Sequence, residues 1–545
     1  MKKKPIIFLV MTVLVGLYVF FASPNLNPLY ADGAFFWLVL VSAYLLVATV
    51  TSFSVSQFID SNGRAVAKFD KSRLPKKWVL ITLGILWAAF FLMQFIFTPL
   101  LFSSSYKNQM KDPEIKEFTS EVQAVDINQI PIVDKNLAAT LADKKLGEKP
   151  SLGSQVVLGE PTMQNVNGEL VWVVPLQHSG FFKWLANIEG SAGYIKVSAT
   201  NLKNVEYVED YKIKIQPYSY LMHDLTRKVR FSGGLFDGIT DYSFELNDEG
   251  KPYWVVTTYK NTCGFNLPEA DGVIMVDAQS GDTQKYTIAD VPTWVDRVQP
   301  EDFIINQINN KGQYIHGVFN FSNKEKYKVS QGDNIIYNDG RCYLFTGITS
   351  VGSDDSATGF YMVDMVTKEP ILYRMSGATE RSAQQSAQGK VQDLGYVATA
   401  PILLNVFDEP TYFMTLKDSA RLIKKYAFVS VKDYMIVGVG DTMKDAQADY
   451  AKVMKDISDK PIFGETEKEK EHLTVTGIID RINFTVNGED TFYSFTLGSV
   501  PNKIFTANLS TSNKLPLTQK GDNVTIKYYE NVGNLIVSEF NNQTF

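Results

Sequence analysis

Hydrophobic residues are distributed unevenly along the chain. Three long apolar segments lie near the N-terminus, at residues 5–21, 34–50 and 78–102, and no comparable segment follows in a chain of 545 residues. A helix rises about 1.5 Å per residue, so about 20 apolar residues cross a hydrocarbon layer roughly 30 Å thick. The pattern therefore predicts a membrane anchor of three transmembrane helices, residues 1–104, followed by a large soluble part.

Lysine and arginine residues give this anchor an expected orientation. Lys2, Lys3 and Lys4 precede the first segment, and six basic residues separate the second segment from the third, whereas residues 22–33 contain none. Positively charged loops stay in the cytoplasm. We therefore expect a multi-pass plasma-membrane protein with a cytoplasmic N-terminus and extracytoplasmic C-terminal domains. The first segment also has the length of a signal-peptide core, and cleavage there would leave the soluble part on the same side.

Beyond the anchor, short aromatic and β-branched runs alternate with turn residues, which is typical of antiparallel strands. The runs that define the pattern begin at Leu170, Tyr253, Cys342 and Thr411. Each is followed by a second strand, and these begin at Gly193, Gly272, Gly359 and, in a looser copy, Tyr426. The copies recur every 70 to 90 residues or so, a period that indicates an array of similar small domains. The sequence therefore predicts four degenerate copies of one module.

The second strand runs into a polar turn, most clearly VDAQSGD at 276–282 and VDMVTKE at 363–369. With the strand pair before it, this turn resembles the PepSY module, in which a helix packs on a small antiparallel sheet and the last hairpin reads V-D-A-x-T-G. The resemblance covers residues 134–430. The first copy lacks the acidic residue, since Ser198 stands there, and the fourth lacks the terminal turn. The resemblance implies a role in restraining proteases or in signalling at the cell surface.

The predicted fold class is α+β, an array of small sheet-plus-helix modules between the anchor and a C-terminal barrel. The modules are placed at 105–216 with a preceding linker, 217–300, 301–378, and 379–455 with a closing helix. Helices are expected over residues 133–146, 380–391 and 443–454, the last two starting after Thr379 and Thr442. Residues 456–472 are rich in charge and are expected to be a solvated linker.

Residues 473–545 contain five strand-like runs and resemble an OB-fold barrel. Many barrels of that outline bind nucleic acid through basic and aromatic surfaces. Here acidic and basic residues are balanced within the barrel, and the whole chain has 53 Lys and Arg against 59 Asp and Glu, a formal charge of -6. We therefore expect no nucleic-acid partner, and we expect the barrel to contact protein or to act as a structural cap.

Candidate chemistry is sparse. The sequence contains no HExxH, G-x-S-x-G or phosphate-binding loop, so we expect no metal and no cofactor. Asp354 and Asp355 could bind a cation, with a hairpin turn as the alternative. Glu380 and Arg381 could line a cleft between modules, or could be a helix N-terminal charge and a solvent-facing residue.

The two cysteines, Cys263 and Cys342, could form one disulfide or remain two buried free thiols. Two of the 545 residues are too few for a disulfide scaffold. With the lysine-rich N-terminus, the low cysteine count fits a bacterial or phage origin.

Two functional hypotheses of different class follow. The first is a non-enzymatic scaffold or binding protein of the cell envelope that is anchored in the lipid bilayer and presents its modules to an envelope protein. Regulation of a protease or of an envelope complex is a narrower form of it. The second is a membrane-tethered enzyme with a site formed between modules, because paired carboxylates leave no signature in residue spacing.

Overall fold

The computed structural model describes residues 3–52, 55–59, 65–69, 76–118, 130–330, 334–338, 340–351, 357–458, 473–487, 490–531 and 534–544. The chain divides into two compact parts, Met1–Ser458 and Asp459–Phe545. It is 32% helical and 38% strand, which confirms the expected mixture of helix and sheet.

Three apolar helices form the anchor. They are α1 (Lys3–Ala22), α2 (Ala31–Ser52) and α3 (Lys77–Ile96), with the hairpin strands β1 (Val55–Ile59) and β2 (Ala65–Phe69) between α2 and α3. All three helices are long and apolar enough to cross a membrane, as predicted. The rings of Phe8 and Tyr44 stack with centroids 5.9 Å apart, so α1 and α2 pack against each other.

The third apolar segment is not one continuous helix. The hydrophobic pattern extended it to residue 102, but α3 ends at Ile96, and a second helix, α4 (Pro99–Asn108), begins after a break. Thr98 is extended, with φ -95° and ψ 164°. Proline disfavours the helical conformation in the residue before it and lacks a backbone N–H, so Pro99 starts a new helix. The strand β3 (Glu114–Lys116) follows α4.

Four sheets follow, and they are antiparallel except where β3 joins sheet 3 in parallel. Sheet 1 contains β4 (Val156–Leu158), β5 (Thr162–Val166), β6 (Glu169–His178), β7 (Tyr194–Ser198) and β8 (Val205–Val208), with helices α5 (Lys135–Gly147), α6 (Pro150–Gly153) and α7 (Phe181–Ala186). Sheet 2 consists of β9 (Gly238–Leu246), β10 (Pro252–Cys263), β11 (Asn266–Asp277) and β12 (Thr283–Thr287), and the helix α8 (Leu225–Val229) precedes it.

Sheets 3 and 4 repeat this order of helix and strands. Sheet 3 contains α9 (Glu301–Gln313), β13 (Tyr327–Val329), β14 (Asn334–Asn338), β15 (Arg341–Ser350), β16 (Ala357–Asp364) and β17 (Pro370–Gly377). Sheet 4 contains α10 (Glu380–Gly389), β18 (Val397–Ala398), β19 (Ile402–Val406), β20 (Glu409–Lys417), β21 (Ile423–Ser430) and β22 (Val437–Gly440), and α11 (Met443–Ser458) closes it.

The same backbone hydrogen bonds recur in all four sheets. In each sheet, the carbonyl of the residue that follows β7, β11, β16 or β21 accepts from the segment that precedes the helix of that sheet. The acceptors are Ala199, Ala278, Met365 and Val431, and their donors are Ile132 and Val133, Lys214 and Ile215, Val298 and Gln299, and Ala378. In the first two sheets a buried tryptophan also bonds this segment, Trp172 to the Val133 carbonyl at 2.7 Å and Trp254 to the Ile215 carbonyl at 2.8 Å. The four sheets are therefore built to one plan.

The strands β5, β9, β14 and β19, one from each sheet, meet in the interior. Gln164 on β5 donates to the Leu246 carbonyl at the end of β9 at 2.6 Å and accepts from the Leu246 N–H at 2.8 Å. Tyr337 on β14 donates to the Met163 carbonyl on β5 at 3.0 Å. Leu404 of β19 lies in the same buried core as Trp172 of sheet 1. The inner edges of sheets 1 to 4 thus converge.

The chain that leaves the membrane is joined to sheet 3. The strand β3 pairs in parallel with β17, with Ile371 opposite Glu114. Met110, between α4 and β3, is completely buried, and Lys311 on α9 donates to its carbonyl at 3.1 Å. The segment that sequence analysis treated as a linker is therefore part of a sheet.

The end of α1 lies against α8, and the loop between α1 and α2 lies against sheet 2. Arg227 donates from Nε to the Phe20 carbonyl at 2.6 Å and from Nη2 to the Phe21 carbonyl at 3.0 Å. The Tyr30 hydroxyl donates to the Tyr259 carbonyl at 2.5 Å. This loop and the sheets that follow α3 are therefore on the same side of the anchor.

The C-terminal part is a closed barrel of five strands, as predicted. They are β23 (Leu473–Asn487), β24 (Asp490–Leu497), β25 (Val500–Asn508), β26 (Asn523–Asn531) and β27 (Asn534–Asn542), in the order β23-β24-β25-β27-β26. Phe495, Phe505 and Phe540 fill its core. The predicted charged linker, residues 456–472, lies outside the described residues from position 459 onward, and α11 extends to Ser458.

Candidate functional site

A cleft of about 780 Å³ opens between sheets 1, 3 and 4, and we call it the inter-sheet cleft. Part of its lining is apolar and includes Trp172, Ile335 and Phe413. Charged residues of both signs share the lining, and they are Asp134, Lys135, Arg297, Glu301, Lys417, Asp418 and Arg421. Apolar walls with a few polar groups are the usual composition of a binding site.

The start of α5 forms one wall of the inter-sheet cleft. Asp134 is the N-cap of this helix, and its Oδ1 accepts from the Leu137 N–H at 2.9 Å. Its other oxygen accepts from Lys417 Nζ at 2.5 Å. Lys417 is only 7% exposed, and a buried ammonium group is costly unless it is paired. This bridge therefore ties sheet 4 to the helix of sheet 1.

A second ion pair joins Arg297, which precedes α9, to Glu301, the first residue of α9. Arg297 Nη1 and Glu301 Oε1 are 3.1 Å apart, and their side chains are 15% and 41% exposed. Glu301 is in the first helical turn, where the helix dipole favours a negative charge. These two carboxylates of the cleft, Asp134 and Glu301, are thus each held by a cation.

Two buried acids lie close to Arg297. Glu245 on β9 is 0% exposed, and Asp296 is 7% exposed. The Asp296 N–H donates to Glu245 Oε2 at 3.0 Å, while Asp296 Oδ2 accepts from the Asn165 N–H at 2.8 Å and from the Tyr337 hydroxyl at 3.0 Å. The pair thus connects sheets 1, 2 and 3.

Burial decides the protonation of these two acids. Burial and, to a smaller extent, the charge of Asp296 raise the pKa of Glu245 to about 8. Burial also raises the pKa of Asp296 to about 6, against the opposing effect of the Asn165 and Tyr337 hydrogen bonds. At neutral pH Glu245 is therefore mostly neutral and Asp296 mostly ionised. Their burial and backbone contacts fit a role in holding the sheets together.

Asp241 has a strained backbone. It occupies a bulge of β9, where the pairing with β10 shifts register between Val256 and Thr257, and its φ is 46°. Non-glycine residues avoid this region, and bulges often re-aim a side chain. The residue is exposed, but the protein packed around it partly desolvates the carboxyl and raises its pKa, against the positive charges of Arg297 and Lys135.

Metal binding has no support in the part of the chain that the structure describes. No group of three or more His, Cys, Asp or Glu side chains there could hold a metal ion.

No protein-family model matches the chain, and no curated protein matches it. Solved structures give distant matches. An endo-1,4-beta-xylanase from Bacteroides thetaiotaomicron is 13% identical with a TM-score of 0.17, over 52% of this chain and 76% of that one. A B. megaterium levansucrase mutant is 9% identical with a TM-score of 0.20, over 79% of this chain and 96% of that one. A Synechocystis apocarotenoid oxygenase mutant is 9% identical with a TM-score of 0.13, over 51% of this chain and 49% of that one. At these scores the matches bear on neither fold nor function.

Glu380 and Arg381, which the sequence singled out, do not line the inter-sheet cleft. Glu380 is 2% exposed at the start of α10, and its Oε1 accepts from the Gly347 N–H at 3.0 Å. A Cβ at position 347 would lie 2.3 Å from that oxygen, so glycine is needed there to admit the carboxyl. Arg381 is exposed. Asp354 and Asp355 lie outside the described residues.

The cysteines belong to different sheets. Cys263 ends β10 and Cys342 lies near the start of β15, and both are buried free thiols. Burial raises the pKa of Cys342 to about 12, so this thiol is protonated and unreactive at neutral pH.

Sequence reasoning missed the residues that line the inter-sheet cleft. Three of them left a local signal. Asp134 lies at the start of the helix predicted over residues 133–146, where a capping aspartate belongs, and Arg297 and Glu301 are four residues apart. Nothing in the sequence connects Lys417 to Asp134, because they are 283 positions apart.

Proposed function

We propose that this chain is a membrane-anchored, non-enzymatic binding protein of the cell envelope, whose four sheet modules present a site to a protein partner outside the cytoplasm. The observation that carries this proposal is the inter-sheet cleft. It combines apolar side chains with charges of both signs, and its volume of about 780 Å³ is in the range of small-molecule and peptide sites.

An extended segment of a partner protein is the ligand that suits this cleft best. The edge strand β18 lines it through Val397 and Ala398, and Thr399 and Ala400 continue the same wall. Extended peptides commonly bind beside a sheet edge and place alternate side chains in pockets. The charged rim would then select acidic and basic side chains of the partner.

The protonation and pairing of the acids favour binding over catalysis. A general acid or base must reach the proton that it transfers, and it needs a pKa near the working pH. Glu245 and Asp296 have shifted pKa values but are buried, whereas Asp134 and Glu301 face the cleft but are bound to Lys417 and Arg297.

Placement outside the cytoplasm rests on charge and on one contact. The loop of residues 22–33 contains no Lys or Arg, and it lies on the same side of the anchor as the sheets, through the bond of the Tyr30 hydroxyl to the Tyr259 carbonyl. The recurring hydrogen bonds support four copies of one module. Kinship with PepSY modules, and the regulation of a protease or envelope complex that it implies, remain predictions.

A library of short linear peptides displayed on phage would test the proposed site against the full-length protein in lipid nanodiscs. We expect enriched peptides whose affinity falls about tenfold or more in Arg421→Glu, because this charge reversal changes the rim of the cleft. Arg381→Glu is the matched control, since Arg381 is also exposed but does not line the cleft. Enriched peptides that bind Arg421→Glu as well as the wild type, or no enrichment at all, would contradict the proposal.

Asp241 favours one second candidate, a membrane-tethered enzyme with a site between modules. Strained backbone is often found at functional sites, and the Asp241 carboxyl is close enough to Arg297 and Lys135 to interact with their charges. The test is hydrolysis of cell-wall glycan and peptide substrates by the full-length protein. Activity that Asp241→Asn abolishes, without a change in melting temperature, would support the enzyme and contradict a purely binding role.

A further inference from the structure

A second cavity, of about 990 Å³, opens between α1, α2 and one end of sheet 2, and we call it the membrane groove. Apolar side chains of the two helices line one part of it, among them Leu14, Val39 and Leu40. Asp32, in the first turn of α2, and Arg230, in the part of the chain after the anchor, line it together with these residues. The groove therefore joins a hydrocarbon-like slot to a polar end.

Arg230 has unused hydrogen-bonding capacity. It is 7% exposed, and its Nη1 donates to the Gly234 carbonyl at 2.9 Å and to the Asp237 carbonyl at 2.5 Å. Its Nε has no partner among the residues that the structure describes. A buried guanidinium N–H without an acceptor costs free energy, so an anionic acceptor bound in the groove would be stabilising.

Asp32 gives the same groove a negative charge. It is exposed and lies in the first turn of α2. Both charges are near Tyr259, whose pKa is raised by burial and then by Asp32, and is lowered by Arg230. One cation and one anion are thus placed beside an apolar slot, at the end of the membrane helices.

We propose that the membrane groove binds a glycerophospholipid whose headgroup carries a primary ammonium, as in phosphatidylethanolamine. Arg230 binds the phosphate, Asp32 binds the ammonium, and one acyl chain lies between α1 and α2. The guanidinium group suits phosphate because it offers several donors in a fixed geometry. This proposal stands independently of the inter-sheet cleft.

Site-specific photocrosslinking in nanodiscs tests it. The full-length protein carries benzoylphenylalanine in place of Val39, which lines the groove, or in place of Leu92 on α3, which is 55% exposed and does not. The nanodiscs contain equal amounts of phosphatidylethanolamine and phosphatidylglycerol, and mass spectrometry identifies the adducts. We expect adducts at position 39 to be enriched several-fold in phosphatidylethanolamine, and adducts at position 92 to match the bilayer.

Two variants separate headgroup binding from simple lipid contact. Arg230→Gln and Asp32→Asn should each abolish the enrichment of phosphatidylethanolamine at position 39. Because Asp32 is exposed, Asp32→Asn should fold even if Arg230→Gln does not. Equal adduct compositions at positions 39 and 92 would overturn the proposal, because ordinary bilayer lipid would then explain both. Enrichment of phosphatidylglycerol at position 39 would overturn the assignment of the ammonium to Asp32.

A different observation concerns four exposed aromatic residues of the soluble part. Phe182 is 80% exposed, Tyr218 94%, Phe319 73% and Phe321 84%. Large exposed apolar side chains in clusters mark interaction surfaces.

These four residues lie on three segments, and residues near them contact the C-terminal end of α1 and α4, the short helix that follows α3. On one side the ring centroids of Phe231 and Phe20 are 5.9 Å apart, and on the other those of Tyr314 and Tyr106 are 6.0 Å apart. Phe181, next to Phe182, packs on Tyr220 at 5.1 Å, which links α7 to the same surface. We infer that these aromatic residues insert into the headgroup region of the bilayer and hold sheets 1 to 3 against the membrane.

Fluorescent labels measure this insertion. Phe182→Cys, Phe321→Cys and Phe407→Cys are labelled in the full-length protein, since the two native thiols are buried. Phe407 is 53% exposed in the turn between β19 and β20, where no contact with a membrane helix is found among the described residues. We expect lipids with a shallow nitroxide to quench labels 182 and 321 and not label 407. Equal access of aqueous iodide to all three labels would overturn the inference.

Discussion

Replacing Glu245 by glutamine should remove a large pH dependence of stability. Burial and the charge of Asp296 raise the pKa of Glu245 from 4.5 to about 8. Each pKa unit corresponds to about 1.4 kcal/mol, so ionising this side chain in the folded protein costs on the order of 5 kcal/mol. The Glu245→Gln variant keeps the size and the acceptor for the Asp296 N–H but never ionises.

The sign follows from proton binding. The folded protein binds the Glu245 proton more tightly than the unfolded chain, so the stabilisation is complete below about pH 4.5 and is lost as the pH rises through about 8. The entropy of unfolding is about 2.1 cal/mol/K per residue, so for a soluble part of this size about 5 kcal/mol corresponds to roughly 5–8 °C in melting temperature.

Intrinsic tryptophan fluorescence during heating provides the assay, on the full-length protein in detergent from about pH 5 to about pH 8.5. We expect wild type and Glu245→Gln to melt within about 1 °C of each other at the low pH, and the variant to melt roughly 5 °C higher at the high pH. Glu249→Gln, at an exposed turn of the same sheet, should track the wild type throughout. A difference between wild type and Glu245→Gln that stays constant across this pH range would refute the reasoning.

Three further predictions concern contacts that hold the sheets together, and one concerns topology. Asp134→Ala removes a helix cap, worth about 1 kcal/mol, and also the carboxylate that is bound to buried Lys417. Calorimetry should therefore show a lower melting temperature for this variant. Asp134→Asn should melt between the wild type and Asp134→Ala, because asparagine still caps the helix. Gly347→Ala should destabilise because its Cβ would meet Glu380 Oε1 at 2.3 Å, whereas Gly389→Ala, with nothing within 4 Å, should not; equal melting temperatures would contradict this. Trp254→Phe leaves the buried Ile215 carbonyl without its 2.8 Å bond and should cost about 1–3 kcal/mol in denaturant unfolding of the full-length protein. Protease added to spheroplasts should remove a tag placed after Phe545 and spare an N-terminal tag; protection of the C-terminal tag would place the sheets in the cytoplasm.

The sequence predicted the fold best where a feature is local. The three apolar helices and the five strands of the barrel follow from hydrophobic segments and alternation within a few residues. The break between α3 and α4 was also readable, because Pro99 stands at the start of the second helix, but hydrophobicity alone hid it. Three residues of β3 carry too short a pattern to reveal a strand, and their pairing with β17 depends on chain folding over more than two hundred positions.

The candidate site could not be read from the sequence because its parts come from distant segments. Glu380 was singled out, but its carboxyl is used to bind the Gly347 backbone, and that contact depends on how α10 packs on sheet 3. Lys417 and Asp134, or Glu245 and Asp296, acquire their chemistry only when burial removes water around them and leaves each other as partners.

The sequence by itself determined the anchor, the content of helix and strand and the closed barrel, since periodicity, turn residues and apolar length act over a few positions. Tertiary structure alone decided that β5, β9, β14 and β19 converge, that Gln164 bonds the end of β9, and that an inter-sheet cleft and a membrane groove exist. The physical reason is that cavities, buried charges and shifted pKa values are properties of the space between elements, and no element carries them alone.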